Sequence, residues 1–266
     1  MPKSNVENNN SKYYKFSFCD NLEALFAANH RTSFPFHFHS TFNVTLVYNG
    51  RFNTQLNDRM VIVPSGMILI TNPEEIHANP SSKNETVSFF TFYISREFVE
   101  FCNDNKPVFF EHKAIDDADL FSSLHALSMQ LQQKSMSRFD EVGLVKTLKS
   151  LIRLYAAGSI KTTDKKQSLF AELLAEENLE KFSLAETAER FGIDKFKFIR
   201  LFKSQTGLTP NNYFIYRRIE KSKAMLAAGK DLLSIAIELG FYDASHFCNH
   251  FKKFTGISPI AFSSNG

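Results

Sequence analysis

The C-terminal third of this chain carries one pattern twice. The stretch "LAETAERFGIDKFKFIRLFKSQTGLTP" runs from Leu184 to Pro210, and "LLSIAIELGFYDASHFCNHFKKFTGISP" runs from Leu232 to Pro259. Ala188 and Gly192 recur as Ala236 and Gly240, at an offset of 48. Phe198, Phe202, Lys203, Gly207 and Pro210 recur as Phe247, Phe251, Lys252, Gly256 and Pro259, at an offset of 49. One extra residue therefore falls in the turn after the first glycine of the second copy, where insertions are tolerated.

Each copy has the layout of a helix-turn-helix. A short apolar helix carries a small alanine that allows close crossing, a glycine supplies the turn, and a second helix follows. Two Phe at i and i+4 point that helix into a core, and the trailing Gly and Pro end it. The segment "NNYFIYRRIEKSKAMLAAG" would join the copies as a helix of about 25 Å, at about 1.5 Å per residue. That length is on the scale of the roughly 34 Å between successive major grooves on one face of DNA. Charge agrees with this placement. Residues 1–160 hold 15 Lys+Arg against 16 Asp+Glu, whereas from Phe191 onward the count is 11 against 5. A basic excess localised on a duplicated turn favours a polyanionic partner over a plain helical bundle.

The N-terminal part reads differently. "YYKFSFC" (13–19), "FNVTLVY" (42–48), "RFNTQLN" (51–57), "MVIV" (60–63), "MILIT" (67–71) and "TVSFFTFYI" (86–94) are short runs rich in β-branched and aromatic residues. Gly, Pro, Asn and Asp punctuate them, as expected of an antiparallel β-barrel or jelly roll over 13–114. A polar, flexible arm (1–12) precedes it. Leu120, Leu124, Leu127 and Leu131, then Leu144, Val145, Leu148, Leu151, Ile152 and Tyr155, mark a helical hairpin over 115–157, whose apolar stripe suits dimerisation. Residues 158–167 read as a linker and 168–266 as an all-α domain. The fold class expected is α+β: a β-barrel with a helical hairpin, then two helix-turn-helix units.

The most specific stretch, "SIAIELGFYDASHFCNHFKKFTGISP" (234–259), is similar to the signature of the AraC/XylS family of bacterial transcription factors. The resemblance covers about residues 168 to 266. Arg218 and Leu226 also fit, Ser222 stands where Ala is usual, and the terminal "AFSSNG" lacks an Arg common there. The resemblance implies a sequence-specific, effector-responsive regulator that reads double-stranded DNA with the outer faces of both second helices. Transferred by position, those faces are Lys195, Phe196, Ile199, Arg200 and Lys203 in the first copy. In the second they are Ala244, Ser245, Cys248, Asn249, Lys252 and Lys253. Arg200 suits a bidentate guanine contact and Asn249 an adenine, while Lys203, Lys252 and Lys253 suit phosphates. A homodimer is implied, with RNA polymerase as a further partner if the protein activates.

"FHFHS" (36–40) resembles the H-x-H of cupin barrels, with His37 and His39 in the first two ligand places, Asn43 where a Glu is usual, and His77 in the last. Sensor barrels of the resembled family are cupin-like and generally take effectors without a metal. The four residues are therefore expected to form the polar wall of a small-molecule pocket, with no cofactor and no metal. A metal-dependent cupin enzyme fused to a DNA-binding domain is the first alternative, weakened by the missing carboxylate ligand. A ligand-independent regulator whose barrel only dimerises is the second. Three scattered cysteines, no signal segment and no membrane-length apolar run fit a cytoplasmic chain.

Overall fold

The computed structural model describes residues 10–82, 85–133, 138–157 and 182–264, without the side chains of 138–140. Ten strands form its N-terminal part: β1 (Asn10–Lys15), β2 (Glu23–His30), β3 (Phe34–His37), β4 (Phe42–Asn49), β5 (Arg51–Gln55), β6 (Met60–Pro64), β7 (Ile68–Thr71), β8 (His77–Asn79), β9 (Val87–Ile94) and β10 (Ala114–Ile115). One sheet has the order β1-β2-β9-β4-β7-β10 and the other β3-β8-β5-β6, with antiparallel neighbours throughout. The short helix α1 (Arg96–Cys102) precedes β10. The helices α2 (Ala118–Gln132) and α3 (Arg138–Tyr155) follow it and pack Leu124, Leu127, Leu144, Leu148 and Leu151 against the six-stranded sheet.

The C-terminal part is entirely helical: α4 (Leu184–Arg190), α5 (Lys195–Thr206), α6 (Pro210–Ala227), α7 (Leu232–Glu238), α8 (Ala244–Thr255) and α9 (Pro259–Ser263). The repeat reappears here bond for bond. Asp194 caps α5 by accepting from the backbone of Phe196 and Lys197, and Asp243 caps α8 by accepting from that of His246. The Thr206 hydroxyl donates to Phe202 O and accepts from Leu208 N, as Thr255 does with Phe251 O and Ile257 N. Gly207 and Gly256 close the two helices in the left-handed region, at φ 71° and 80°, which side chains with a Cβ rarely adopt. Phe198, Phe202, Phe247 and Phe251 are all fully buried, each burial contributing about 1.5–3 kcal/mol. Arg218 of α6 donates to Gly240 O, 2.8 Å away, tying the connector to the second turn. Ser222, fully buried, donates to Ile219 O at 2.6 Å, so its hydroxyl is satisfied inside the helix.

The β part departs from sequence expectation in places. "YYKFSFC" leaves the sheet after Lys15, and Cys19, Asp20 and Asn21 turn with positive φ, so the strand resumes only at Glu23. β2, "EALFAANH", has no β-branched residue and no strand signal of its own. It is strand because β1 and β9 pair with it on both sides, which overrides propensity. β3 and β8 are likewise too short to stand out in the sequence. β1 begins at Asn10, inside the segment expected to be a loose arm, while residues 1–9 and the linker expected at 158–167 lie outside the described residues.

At the β4–β5 hairpin, Gly50 has φ 78°, and a Cβ there would sit 2.2 Å from the Thr86 carbonyl oxygen. Gly50→Ala should therefore destabilise the protein by about 1–3 kcal/mol in denaturant unfolding. An unchanged midpoint would show that the turn relaxes freely.

Candidate DNA-binding surface and interdomain cavity

On α5, Asp194 and the buried Phe198 and Phe202 fix the rotation of the helix, and the remaining faces follow from it. Lys195, Phe196, Arg200 and Lys203 are exposed and Ile199 is half-buried. On α8, Ser245, Asn249, Lys252 and Lys253 are exposed, whereas Ala244 and Cys248 are half-buried. The expected contact residues thus lie on the flanks and outer faces of two helices whose inner faces are Phe. Lys197, also exposed, belongs to the same basic face of α5. Sequence reasoning passed over Tyr242, which is 91 % exposed immediately before the α8 cap. Only its place in the extra-residue turn could have pointed to it. His246 accepts from the Tyr242 backbone N–H at 3.3 Å, and its ring meets that of His250 edge-on at 4.6 Å. These two histidines close and pack the turn.

The C-terminal ends of both helices rest on the β domain. A Cβ on Gly207 would lie 2.7 Å from the Ile76 side chain, and one on Gly256 would lie 3.2 Å from the Phe34 ring. One buried cluster runs continuously from Leu25, Phe34, Val47 and Phe89 to Ile219, Phe247, Phe251 and Phe262. The Tyr216 hydroxyl of α6 donates to Phe38 O, with the two rings 4.8 Å apart.

Beneath this seam lies a cavity of about 30 Å³, lined by His37, His39, Asn43 and His77 together with Thr45, Thr71, Tyr93 and Phe254. The sheet register explains the grouping. β3 and β8 pair His37 opposite His77, and a two-residue step brings His39 back toward the side His37 occupies. The ring centroids of His37 lie 4.7 Å from His39 and 4.4 Å from His77. A carbonyl only accepts, so His37 Nδ1 donates to Pro35 O at 2.6 Å and His77 Nδ1 donates to Glu75 O at 2.8 Å. Asn43 accepts from the Thr41 hydroxyl at 3.0 Å. Burial holds the His37 and His39 imidazoles well below their usual range, and neighbouring positive charge adds to the effect. Burial lowers His77 too, against the opposing pull of Glu75. All three rings are therefore neutral at neutral pH.

Two supports of this cavity were not legible in the sequence. The Lys113 ammonium, 5 % exposed, pairs with Glu75 at 2.8 Å and donates to Phe110 O at 2.7 Å. The other Glu75 oxygen accepts from Asn72 N at 3.0 Å, which pins the loop leading into His77. On the helical side, Lys223 pairs with Glu220 at 2.8 Å. Burial disfavours the Lys223 charge, but Glu220 and Glu23 overcome it and raise its pKa.

Two family models match the chain. The AraC-like ligand binding domain covers residues 21–155, and a helix-turn-helix domain covers residues 187–265. The chain belongs to the AraC/XylS family. It is 25% identical over 223 residues to an HTH-type transcriptional regulator of Bacillus subtilis, YbfI, covering 80% of this chain and 81% of that one. It is 24% identical over 244 residues to the HTH-type transcriptional activator RhaS of Escherichia fergusonii, covering 85% and 86%. Its fold is similar to that of a lysine-to-alanine variant of apo ToxT from Vibrio cholerae, with a TM-score of 0.55 and 13% identity over 97% of this chain and 98% of that one. ToxT with an unsaturated fatty acid bound also matches, with a TM-score of 0.50 and 14% identity over 97% of each. The AraC/XylS chain is accordingly a sequence-specific DNA-binding regulator and not an enzyme. Among the described residues no helix is long and apolar enough to cross a membrane.

At the edge of the seam, His30 stacks on Phe34 at 4.9 Å and meets Phe89 at 5.6 Å, with its Nδ1 buried and unpartnered. Burial lowers its pKa below 6.5, partly offset by the Thr32 backbone. Below pH 6.5 the unfolded chain takes up this proton before the folded one does, so stability falls as pH drops through that window. Thermal melts at about pH 7.5 and 5.5, on either side of the ordinary histidine range, should show a smaller loss for His30→Phe than for the wild type. Equal losses would mean that His30 titrates normally.

Proposed function

We propose that α5 and α8 each enter a major groove of double-stranded DNA and that the β domain is a cupin-like sensor barrel governing how they are presented. The observation that carries this reading is the seating of both recognition helices on the β domain by their C-terminal ends, with their polar faces left exposed. Arg200 reads a guanine through two parallel N–H donors, and Asn249 pairs with adenine. Lys195 and Phe196 open α5, where side chains reach base edges, and Ile199 and Cys248 offer apolar contact to a thymine methyl. Ala244 and Ser245 do the same work at the start of α8. Lys203, Lys252 and Lys253 neutralise phosphates and fix the register.

The sensed species enters the cavity at His37, His39, Asn43 and His77, which lies under α6, the helix that joins the two DNA-binding units. That ToxT accepts a fatty acid in a similar fold supports a ligand role for the β domain. A homodimer forms through α2 and α3, where Met129, Val142 and Leu154 are exposed, 42 %, 63 % and 55 %. RNA polymerase is the further partner if the bound protein activates.

Arg200→Ala should cost about 1–3 kcal/mol of operator affinity and relax preference at one base position. Lys203→Ala should weaken binding evenly across sequences and reduce the salt slope by about 1. Fluorescence anisotropy on duplexes selected from a random pool measures both. Unchanged affinity and preference in Arg200→Ala would remove that residue from the interface.

A further inference from the structure

We propose that His37, His39 and His77 bind one divalent transition-metal ion and that this ion is what the β domain senses. The inference rests on the sensor reading above and names the species sensed. Among the described residues, the ligand atoms of these three side chains all lie within 4.8 Å of one another. Three metal–nitrogen bonds of about 2.0–2.1 Å in tetrahedral geometry require nitrogens about 3.3 Å apart. Small side-chain rotations close that difference.

The hydrogen bonds already made suit the ligand role. His37 and His77 each commit Nδ1–H to a backbone carbonyl, Pro35 O and Glu75 O, which leaves Nε2 as the lone-pair nitrogen of each ring. A backbone carbonyl that accepts the other ring N–H is a usual outer-shell partner of a metal-binding histidine. Glu75 is itself held by Lys113 and Asn72, so the His77 ring is positioned from two layers back. His39 is the half-buried member of the three and faces a second polar cavity, of about 70 Å³, beside Glu220 and Lys223. Access from solvent therefore passes His39, along a route lined by Lys223, Glu220 and Glu23, whose second carboxylate leaves it favourable to a cation.

Size and donor chemistry select the guest. A cavity of about 30 Å³ holds an ion with a water, whereas pockets for organic ligands run to about 300–1,000 Å³. Three neutral nitrogens and no carboxylate disfavour magnesium and calcium, which demand oxygen, and favour zinc, nickel, cobalt, copper or ferrous iron. Three protein ligands leave the fourth position to water.

The same tripeptide carries the signal outward. His37 and His39 face the cavity, and the residue between them, Phe38, packs on Tyr213 and Tyr216 of α6 at 6.3 and 4.8 Å. Its carbonyl accepts from the Tyr216 hydroxyl. Drawing the two imidazoles onto an ion moves Phe38, and with it the connector between the recognition helices.

The test uses the full chain stripped with chelator and then given Zn(II), Ni(II) or Co(II) singly. Equilibrium dialysis with elemental analysis should find one ion per chain, and the visible spectrum of Co(II) should report nitrogen ligation in the wild type without any substitution. His39→Gln, at the half-buried place, should lower affinity by about 10-fold or more while keeping the same melting temperature in the metal-free state. Operator affinity should change by about 5-fold or more between metal-free and metal-loaded protein. No stoichiometric ion, or equal binding by His39→Gln, overturns the site. An ion bound without any change in operator affinity overturns the sensing role. If metal fails to bind while the metal-free chain still reads DNA through Arg200, only this inference falls. If no duplex is selected at all, the reading it rests on falls with it.

Discussion

The contact on which this molecule turns is the close approach of two helix ends to the β domain beside the β3–β8 pair. Gly207 meets Ile76 and Gly256 meets the Phe34 ring at distances that leave little room for a side chain. Each glycine is there first for a local reason, because the left-handed backbone that closes its helix disfavours a Cβ. The same missing Cβ then lets the helix end settle on the β domain. A local rule and a long-range contact are thus met by one residue type, and both α5 and α8 take their position from the same surface.

From that surface the rest follows. Phe38 stands between His37 and His39 and packs toward the helices while the two imidazoles wall the polar cavity. Phe34 both joins the core shared with the helix-turn-helix pair and lines that cavity. Two groups that sequence separates by well over a hundred residues, the imidazoles and the connector α6, end within one ring of each other. Tight packing converts small shifts in such an arrangement into a change between discrete states, since dense interiors transmit displacement.

The helical half was legible because its punctuation is chemical. Gly192, Gly207, Pro210 and their partners carry backbone meaning that no tertiary contact alters, and the Phe pairs state which side is inward. The β half was legible where β-branched and aromatic runs stood between turn residues, as in β4, β5, β6, β7 and β9. β2 has Ala where a strand signal would be, and its identity comes from the ladders on either side of it. The cavity stood between these cases. The H-x-H spacing announced His37 and His39, but His77 joins them through the β3–β8 register, and the Lys113–Glu75 support joins residues far apart in the chain. The seam with the helical half had no sequence signal, because it consists of glycines and aromatics whose local roles already explained them.

The central claim is that the cavity and the recognition helices are energetically one system, joined through Phe38 and Tyr216. A double-mutant cycle on operator affinity tests it most directly, using His39→Gln and Tyr216→Phe singly and together in the ligand-loaded protein. The account predicts that the two effects fail to add, by about 0.5 kcal/mol or more. Strict additivity would contradict it, leaving the cavity and the DNA-binding surface as independent features of one chain.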